Sequence, residues 1–197
     1  MPGLNRPNKI IVHHTGGTDA QPLADSSKAT AQDIDAWHKL RWPGFTSLVY
    51  KNDKGKFYHT GYHFVIEKDG KIVPCRAMNE EGAHCIGQNT SSIGVNLAGN
   101  FDLTLPTQAQ KNSFKKVFKL IQAAYPNITE HDIYPHRRYA TKTCYGNNLS
   151  DTYFTELLKP TNDEEVLKVL RERIVQLTSQ LKSLISKKRM SKRERNV

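Results

Sequence analysis

Apolar and polar positions change in short bursts along the first half of this chain and follow a helical period in the second. The run "KIIVHH", residues 9 to 14, is β-branched and apolar and closes at the glycine pair Gly16 and Gly17. It predicts a buried strand with His13 and His14 at its exit. "TAQDIDAWHKLR" places Ile34, Trp37 and Leu40 at helical spacing behind Thr30, a good N-cap, and predicts an amphipathic helix. "GYHFVIEKDGKIVPC" predicts a hairpin, with an alternating segment, an Asp-Gly turn and a return strand. "SIGVNLAGNF" predicts a further buried strand in which Gly94 and Gly99 allow a close approach. Between Thr107 and Tyr125 the residues Phe114, Val117, Phe118, Ile121 and Ala124 fall on one helical face, and Pro126 ends that helix. "HDIYPHRRYATKTCYGNNLSD", residues 131 to 151, has no clear period and predicts a long structured loop of the kind that carries function.

The pattern changes near Pro160. Leu167, Leu170, Ile174, Leu177, Leu181 and Leu184 recur in steps of three and four, a heptad seam that ends in the basic tail Lys187 to Arg195. "KPTNDEE" lies at the change and predicts a linker with an acidic helix start. The expected organisation is a domain over 1–160 and an appended helix with a basic tail over 161–197. The fold class expected of the first part is α/β, a mixed central β-sheet flanked by helices.

Composition narrows the function classes. The 197 residues carry a formal charge of +10, which implies an anionic partner: nucleic acid, anionic lipid or an anionic cell-wall polymer. No zinc-finger spacing, helix-turn-helix or RNA-binding signature accompanies the charge, so nucleic acid is not expected as the main partner. No apolar run reaches the roughly 18 to 20 residues that cross a bilayer. The polar start "MPGLNRPNK" has no apolar stretch behind it, which leads to the expectation of a cytoplasmic protein without a secretory signal. Cys75, Cys85 and Cys144 are too few for a disulfide framework, so at least one is free to act as ligand, nucleophile or core residue.

The loop "PHRRYATKTC" sets a histidine eight residues before a cysteine. With a histidine from the exit of the first strand, this makes three nitrogen and sulfur donors. Three is the number that a catalytic zinc takes while one position stays open for water, and the donor types favour zinc over calcium or magnesium. Adjacent strand residues point to opposite faces, so His13 and His14 do not both reach one ion.

The blocks "IIVHHTGG", "GYHFVIEKDGKI", "EGAHCIGQNTSSIGVNLAGNFD" and "PHRRYATKTC" resemble, in order and spacing, the four motif blocks of the zinc-dependent N-acetylmuramoyl-L-alanine amidases. That family includes phage endolysins and the peptidoglycan recognition proteins of animals, and the resemblance runs over residues 9 to 155. It implies one zinc per chain, held by His13, His136 and Cys144, with Tyr62 and Lys142 as catalytic residues. His13 is implied over His14, and His136 over His131, whose distance from Cys144 departs from the family's spacing. It implies His84 and Asn89 as substrate-binding residues, whereas His63 is expected to be a core residue or to lie behind the site.

The implied activity is hydrolysis of the amide between N-acetylmuramic acid and L-alanine in peptidoglycan, in the manner of an endolysin kept in the host cytoplasm until release. The alternatives are a non-catalytic peptidoglycan-binding module and a cytoplasmic amidase that recycles muropeptides. The segment "RWPGFTSLVYKNDKGKFYHT" is longer than the short lysins need and is expected to reshape the substrate groove. Cys75 and Cys85 are close enough in sequence to pair in an oxidising medium. The heptad seam allows two readings, a helix that folds back onto the first domain or one that pairs with copies of itself, and its narrow leucine stripe favours the second, a homo-oligomer formed through the C-terminal helix.

Overall fold

The structure, a computed structural model, describes residues 3–18 and 20–194, with the backbone alone at 162, 163, 165 and 184–194. It has two compact units, Met1–Leu158 and Lys159–Val197. The first is built on a five-stranded mixed sheet. Its strands are β1 (Ile10–His14), β2 (Phe64–Ile66), β3 (Ile72–Pro74), β4 (Ile93–Leu97) and β5 (Ile133–Pro135), in the spatial order β3-β2-β4-β1-β5. β1 runs parallel to both β4 and β5, β2 runs parallel to β4, and only the β2-β3 hairpin is antiparallel. That hairpin turns at Gly70, whose φ of 88° is a conformation that favours glycine, as the Asp-Gly dipeptide predicts.

Strand alternation sorts the side chains into two layers. Ile10, Val12, Phe64, Ile66, Ile93, Val95 and Leu97 face helix α2 (Gln108–Ala124) and meet Phe114, Val117, Phe118 and Ile121. Val65 faces the other way, towards Ala31 and Ile34 of helix α1 (Ala31–Arg41). Both helices begin with a capping box, Thr30 with Asp33 and Thr107 with Gln110.

Several expectations need correction. Trp37 and Leu40 do not form the inward face of α1: they are 49% and 85% exposed, and the buried positions are Ala31, Ile34 and Asp35. Asp35 takes an inward position because it ties down the long segment after the helix, accepting from Nδ2 of Asn52 at 2.8 Å and from the amide of His59. Glu80 holds the same segment through the hydroxyl of Ser47 at 2.9 Å and the amide of Leu48. Ala124 is exposed, because α2 leaves the sheet after Ile121. The 131–151 region is not all loop: it contains β5 and two short 3-10 turns, and a helix, α3 (Tyr153–Leu158), follows it. Three-residue β5 ends in proline and shows no alternation long enough to read.

The second unit holds a single helix, α4 (Asn162–Glu194). Leu167, Leu170, Ile174, Leu177 and Leu181 are exposed on it. The side chains of Leu184 and of the tail Lys187 to Arg195 lie outside the described residues. Among the described residues no helix is long and apolar enough to cross a membrane.

Candidate functional site

The site forms at the carboxyl ends of the parallel strands, where ligands bind in open α/β sheets. β1 and β5 are in register with Val12 opposite Pro135, so the next residues, His13 and His136, meet across the strand ends. Their rings lie 4.4 Å apart. Cys144 completes the group, its Sγ 3.7 Å from Nδ1 of His13. The donor atoms of His13, His136 and Cys144 all lie within 4.8 Å of one another.

His14 points to the opposite face, as alternation requires, and its Nδ1 accepts the amide of Phe101 at 2.9 Å. His131 is exposed beside the Glu130 carboxylate and is not in the donor group.

The loop that carries Cys144 is held from two sides. Arg137 donates from Nε to Asp151 at 2.7 Å, from Nη1 to the Gly146 carbonyl at 2.8 Å and from Nη2 to the Leu149 carbonyl at 2.7 Å. Asp102, just past β4, accepts from the hydroxyl of Thr143 at 2.8 Å and from the amide of Asn147 at 2.7 Å. The cysteine therefore sits between anchored neighbours, Thr143 on one side and Gly146 on the other, which hold its backbone in place.

Burial sets the electrostatics. It keeps His13 well below the usual imidazole range, with His84 and His136 adding to the effect, and brings His136 down to about 4 with help from the Lys142 charge. Both are neutral near pH 7, the form that donates a lone pair to a metal. Burial pushes the Cys144 thiol up to about 12, while the His14 backbone and the Lys142 charge favour its ionised form. A bound cation reverses that balance and takes the thiolate.

The donor set fits zinc. Two donors of a tetrahedral zinc, one at about 2.3 Å and the other at about 2.0 to 2.1 Å, stand roughly 3.5 Å apart. The 3.7 Å between Cys144 Sγ and His13 Nδ1 is close to that separation.

Around the donor group the structure gathers most of the remaining residues singled out in the sequence. Tyr62 lies with its ring 4.9 Å from that of His13, and burial raises its phenol above the ordinary range. Lys142 is exposed on the loop two residues before Cys144, near enough for its charge to act on His136 and on the thiol. His84 lies behind His13. Asn89 uses Oδ1 to accept the amides of His84 at 2.9 Å and Cys85 at 2.8 Å, which shapes the turn between them. His63 is fully buried: its Nδ1 accepts the Gly94 amide at 2.9 Å, so Nε2 carries the proton and donates to the Glu80 carbonyl at 2.9 Å. Cys75 and Cys85 are both free and buried.

Three contributors escaped the sequence reading. The His38 ring lies tilted against Tyr62 with centroids 5.3 Å apart, and Arg137 and Asp102 hold the cysteine loop. The signal for His38 is its place four residues after Ile34, on the face of α1 that turns inward.

A mixed sheet between helices, with two histidines at its strand ends and a cysteine on the following loop, describes an α/β protein with a candidate metal site. The particular family follows from comparison: the Amidase_2 model, described as N-acetylmuramoyl-L-alanine amidase, matches residues 3–147, and the chain belongs to that family. Among solved structures the chain is similar to the N-acetylmuramoyl-L-alanine amidase LysC from Clostridium intestinale. The two are 31% identical with a TM-score of 0.58, over 79% of this chain and 87% of that one. It is also similar to peptidoglycan-recognition protein SC2 of Drosophila melanogaster, 27% identical over 71% of this chain and 68% of the relative. The N-acetylmuramoyl-L-alanine amidase of Homo sapiens is 27% identical over 81% of this chain, which corresponds to 27% of that longer protein.

Proposed function

We propose that the chain is a zinc-dependent amidase that hydrolyses the bond between the lactyl group of N-acetylmuramic acid and L-alanine in peptidoglycan. The observation that carries this reading is the convergence of His13, His136 and Cys144, with Cys144 Sγ 3.7 Å from Nδ1 of His13. A zinc held by these three residues supplies a Lewis acid that makes water nucleophilic near neutral pH and polarises the scissile carbonyl.

The chain's own residues do the rest. His13 and His136 remain neutral through burial, so protons do not compete for their lone pairs. Lys142, exposed at the mouth of the site, offers an ammonium donor to the substrate oxygen as negative charge develops on it. Tyr62 is protonated at neutral pH like any tyrosine, burial makes its phenol harder still to ionise, and it acts as a hydrogen-bond donor that orients the reactants. The net charge of +10 favours encounter with an anionic wall. We also infer that α4 pairs with a second copy of itself along Leu167, Leu170, Ile174, Leu177 and Leu181.

The test is product analysis on purified cell walls. Mass spectrometry should find free stem peptides that begin with L-alanine, and release should stop when a chelator removes zinc and resume when zinc is returned. New reducing sugar ends would indicate a glycosidase instead. Wall binding without any product would identify a binding module, and a preference for soluble muropeptides over intact walls would identify a recycling enzyme.

A further inference from the structure

We propose that His84 is a positioning residue that fixes the tautomer and ring orientation of His13, so that His13 presents Nδ1 to the metal. The inference rests on the zinc reading above and goes beyond it, because it assigns a task to a side chain outside the donor group.

His13 uses its two ring nitrogens in opposite directions. Nδ1 faces Cys144 Sγ at 3.7 Å, and Nε2 lies 3.0 Å from Nδ1 of His84. A nitrogen that gives its lone pair to a metal carries no proton, so in neutral His13 the proton is on Nε2. It is donated to Nδ1 of His84, which accepts, and His84 in turn carries its proton on Nε2. The rings are perpendicular, with centroids 5.1 Å apart, which directs the edge of one imidazole at the nitrogen of the other.

His84 is built to stay in place. Its backbone amide and that of Cys85 are both held by Asn89 Oδ1. Its ring lies against two glycines: a Cβ on Gly82 would come within 2.5 Å of His84 Cδ2, and one on Gly94 within 2.6 Å of Cγ and Cδ2. Any larger residue at either position displaces the ring. His63, itself locked by the Gly94 amide and the Glu80 carbonyl, stands edge-on at 5.8 Å.

With only 9% of its surface exposed and Nδ1 engaged by His13, His84 acts through His13. The family resemblance suggests a substrate contact for His84, whereas the geometry points to this support role.

The test uses the full chain and two substitutions. His84→Asn puts a carboxamide oxygen near the place of Nδ1 and keeps an acceptor for His13, whereas His84→Ala removes it. Zinc affinity, measured by competition with a chromophoric chelator, should fall roughly 10- to 100-fold in His84→Ala and return most of the way in His84→Asn. Imidazole nitrogen NMR of the zinc-free unsubstituted protein, in which no metal fixes the ring, should place the His13 proton on Nε2. Equal zinc affinity in all three proteins, or a His13 proton on Nδ1, overturns the proposal. The NMR reading needs neither substitution nor turnover, so it still decides the question if His84→Ala fails to fold. Failure of the unsubstituted protein to bind zinc would instead overturn the amidase mechanism and leave the tautomer to be read directly.

Discussion

Gly61 donates its backbone N–H to Nδ1 of His38 at 2.8 Å, which ties the residue before Tyr62 to helix α1. The Tyr62 ring lies tilted against the same imidazole, with centroids 5.3 Å apart. Removing the acceptor in His38→Ala frees this backbone, and the loss of about one hydrogen bond corresponds to roughly a 10-fold fall in turnover. Zinc content, measured by elemental analysis, should not change. Full turnover in the variant would show that Tyr62 is positioned without α1.

Substitutions within the site should separate metal binding from chemistry. Cys144→Ser is expected to lose zinc and lytic activity while its circular dichroism remains native, because serine is close to cysteine in size and the other residues of the core between the sheet and α2 are unchanged. Lys142→Ala and Tyr62→Phe are expected to keep zinc and to lose turnover by roughly 10²-fold. A full rate in either would remove that residue from the mechanism.

The sequence showed clearly the parts of the fold that repeat a period. β1, β4, the hairpin and α2 each have a pattern that burial alone can impose, and the Thr30 cap marks the start of α1. β5 was hidden because it is short and is specified by its neighbour β1 rather than by its own residues. Trp37 and Leu40 misled because helical spacing identifies an apolar stripe but not which stripe the rest of the chain covers. The donor residues could be picked out from spacing and resemblance. The network that aims them could not, since His38, Asp102 and Arg137 act through carbonyls and amides that any sequence supplies.

Arg137 is the clearest case of such a residue. Its guanidinium joins Asp151 to the carbonyls of Gly146 and Leu149, on the far side of Cys144. Arg137→Lys keeps the charge but not the planar fork, so it should destabilise the protein by about 2 kcal/mol in urea unfolding and weaken zinc binding about 10-fold. An unchanged unfolding midpoint would mean that Asp102 alone holds the loop.

Acid should weaken the fold. Burial lowers His38 and His63 to about 4 in the folded protein, whereas the unfolded chain protonates them near the ordinary imidazole value of about 6.5. Because the folded values are depressed, the unfolded state binds more protons between these limits. The stabilisation is complete above about pH 6.5 and is lost as the pH falls towards 4, at up to about 1.4 kcal/mol per pH unit for each group. Urea midpoints of chelator-treated protein at pH 7.5, 5.5 and 4.5 should decrease in that order. A flat profile would contradict the assignment of both histidines as neutral.

The heptad seam can be tested by removing residues 162–197. Light scattering should detect a dimer for the full chain and a monomer for the shortened one, and hydrolysis of a soluble muropeptide should persist. A full chain that is already monomeric would reject pairing through α4.

The position of β1 between β4 and β5 has a consequence for when the donor group is complete. The first donor, His13, belongs to β1 and is made well before His136 and Cys144, which belong to nearly the last part of the first unit. Pairing of β1 with β4 can begin once Leu97 is available, but the β1-β5 seam must wait for Pro135. Long-range parallel pairing of this kind is slow, because the loop closure it requires precedes any contact that rewards it. A nascent or truncated chain that lacks β5 therefore has a partial sheet with an incomplete donor group, and on the zinc reading proposed above it would take up metal only once the last strand is in place.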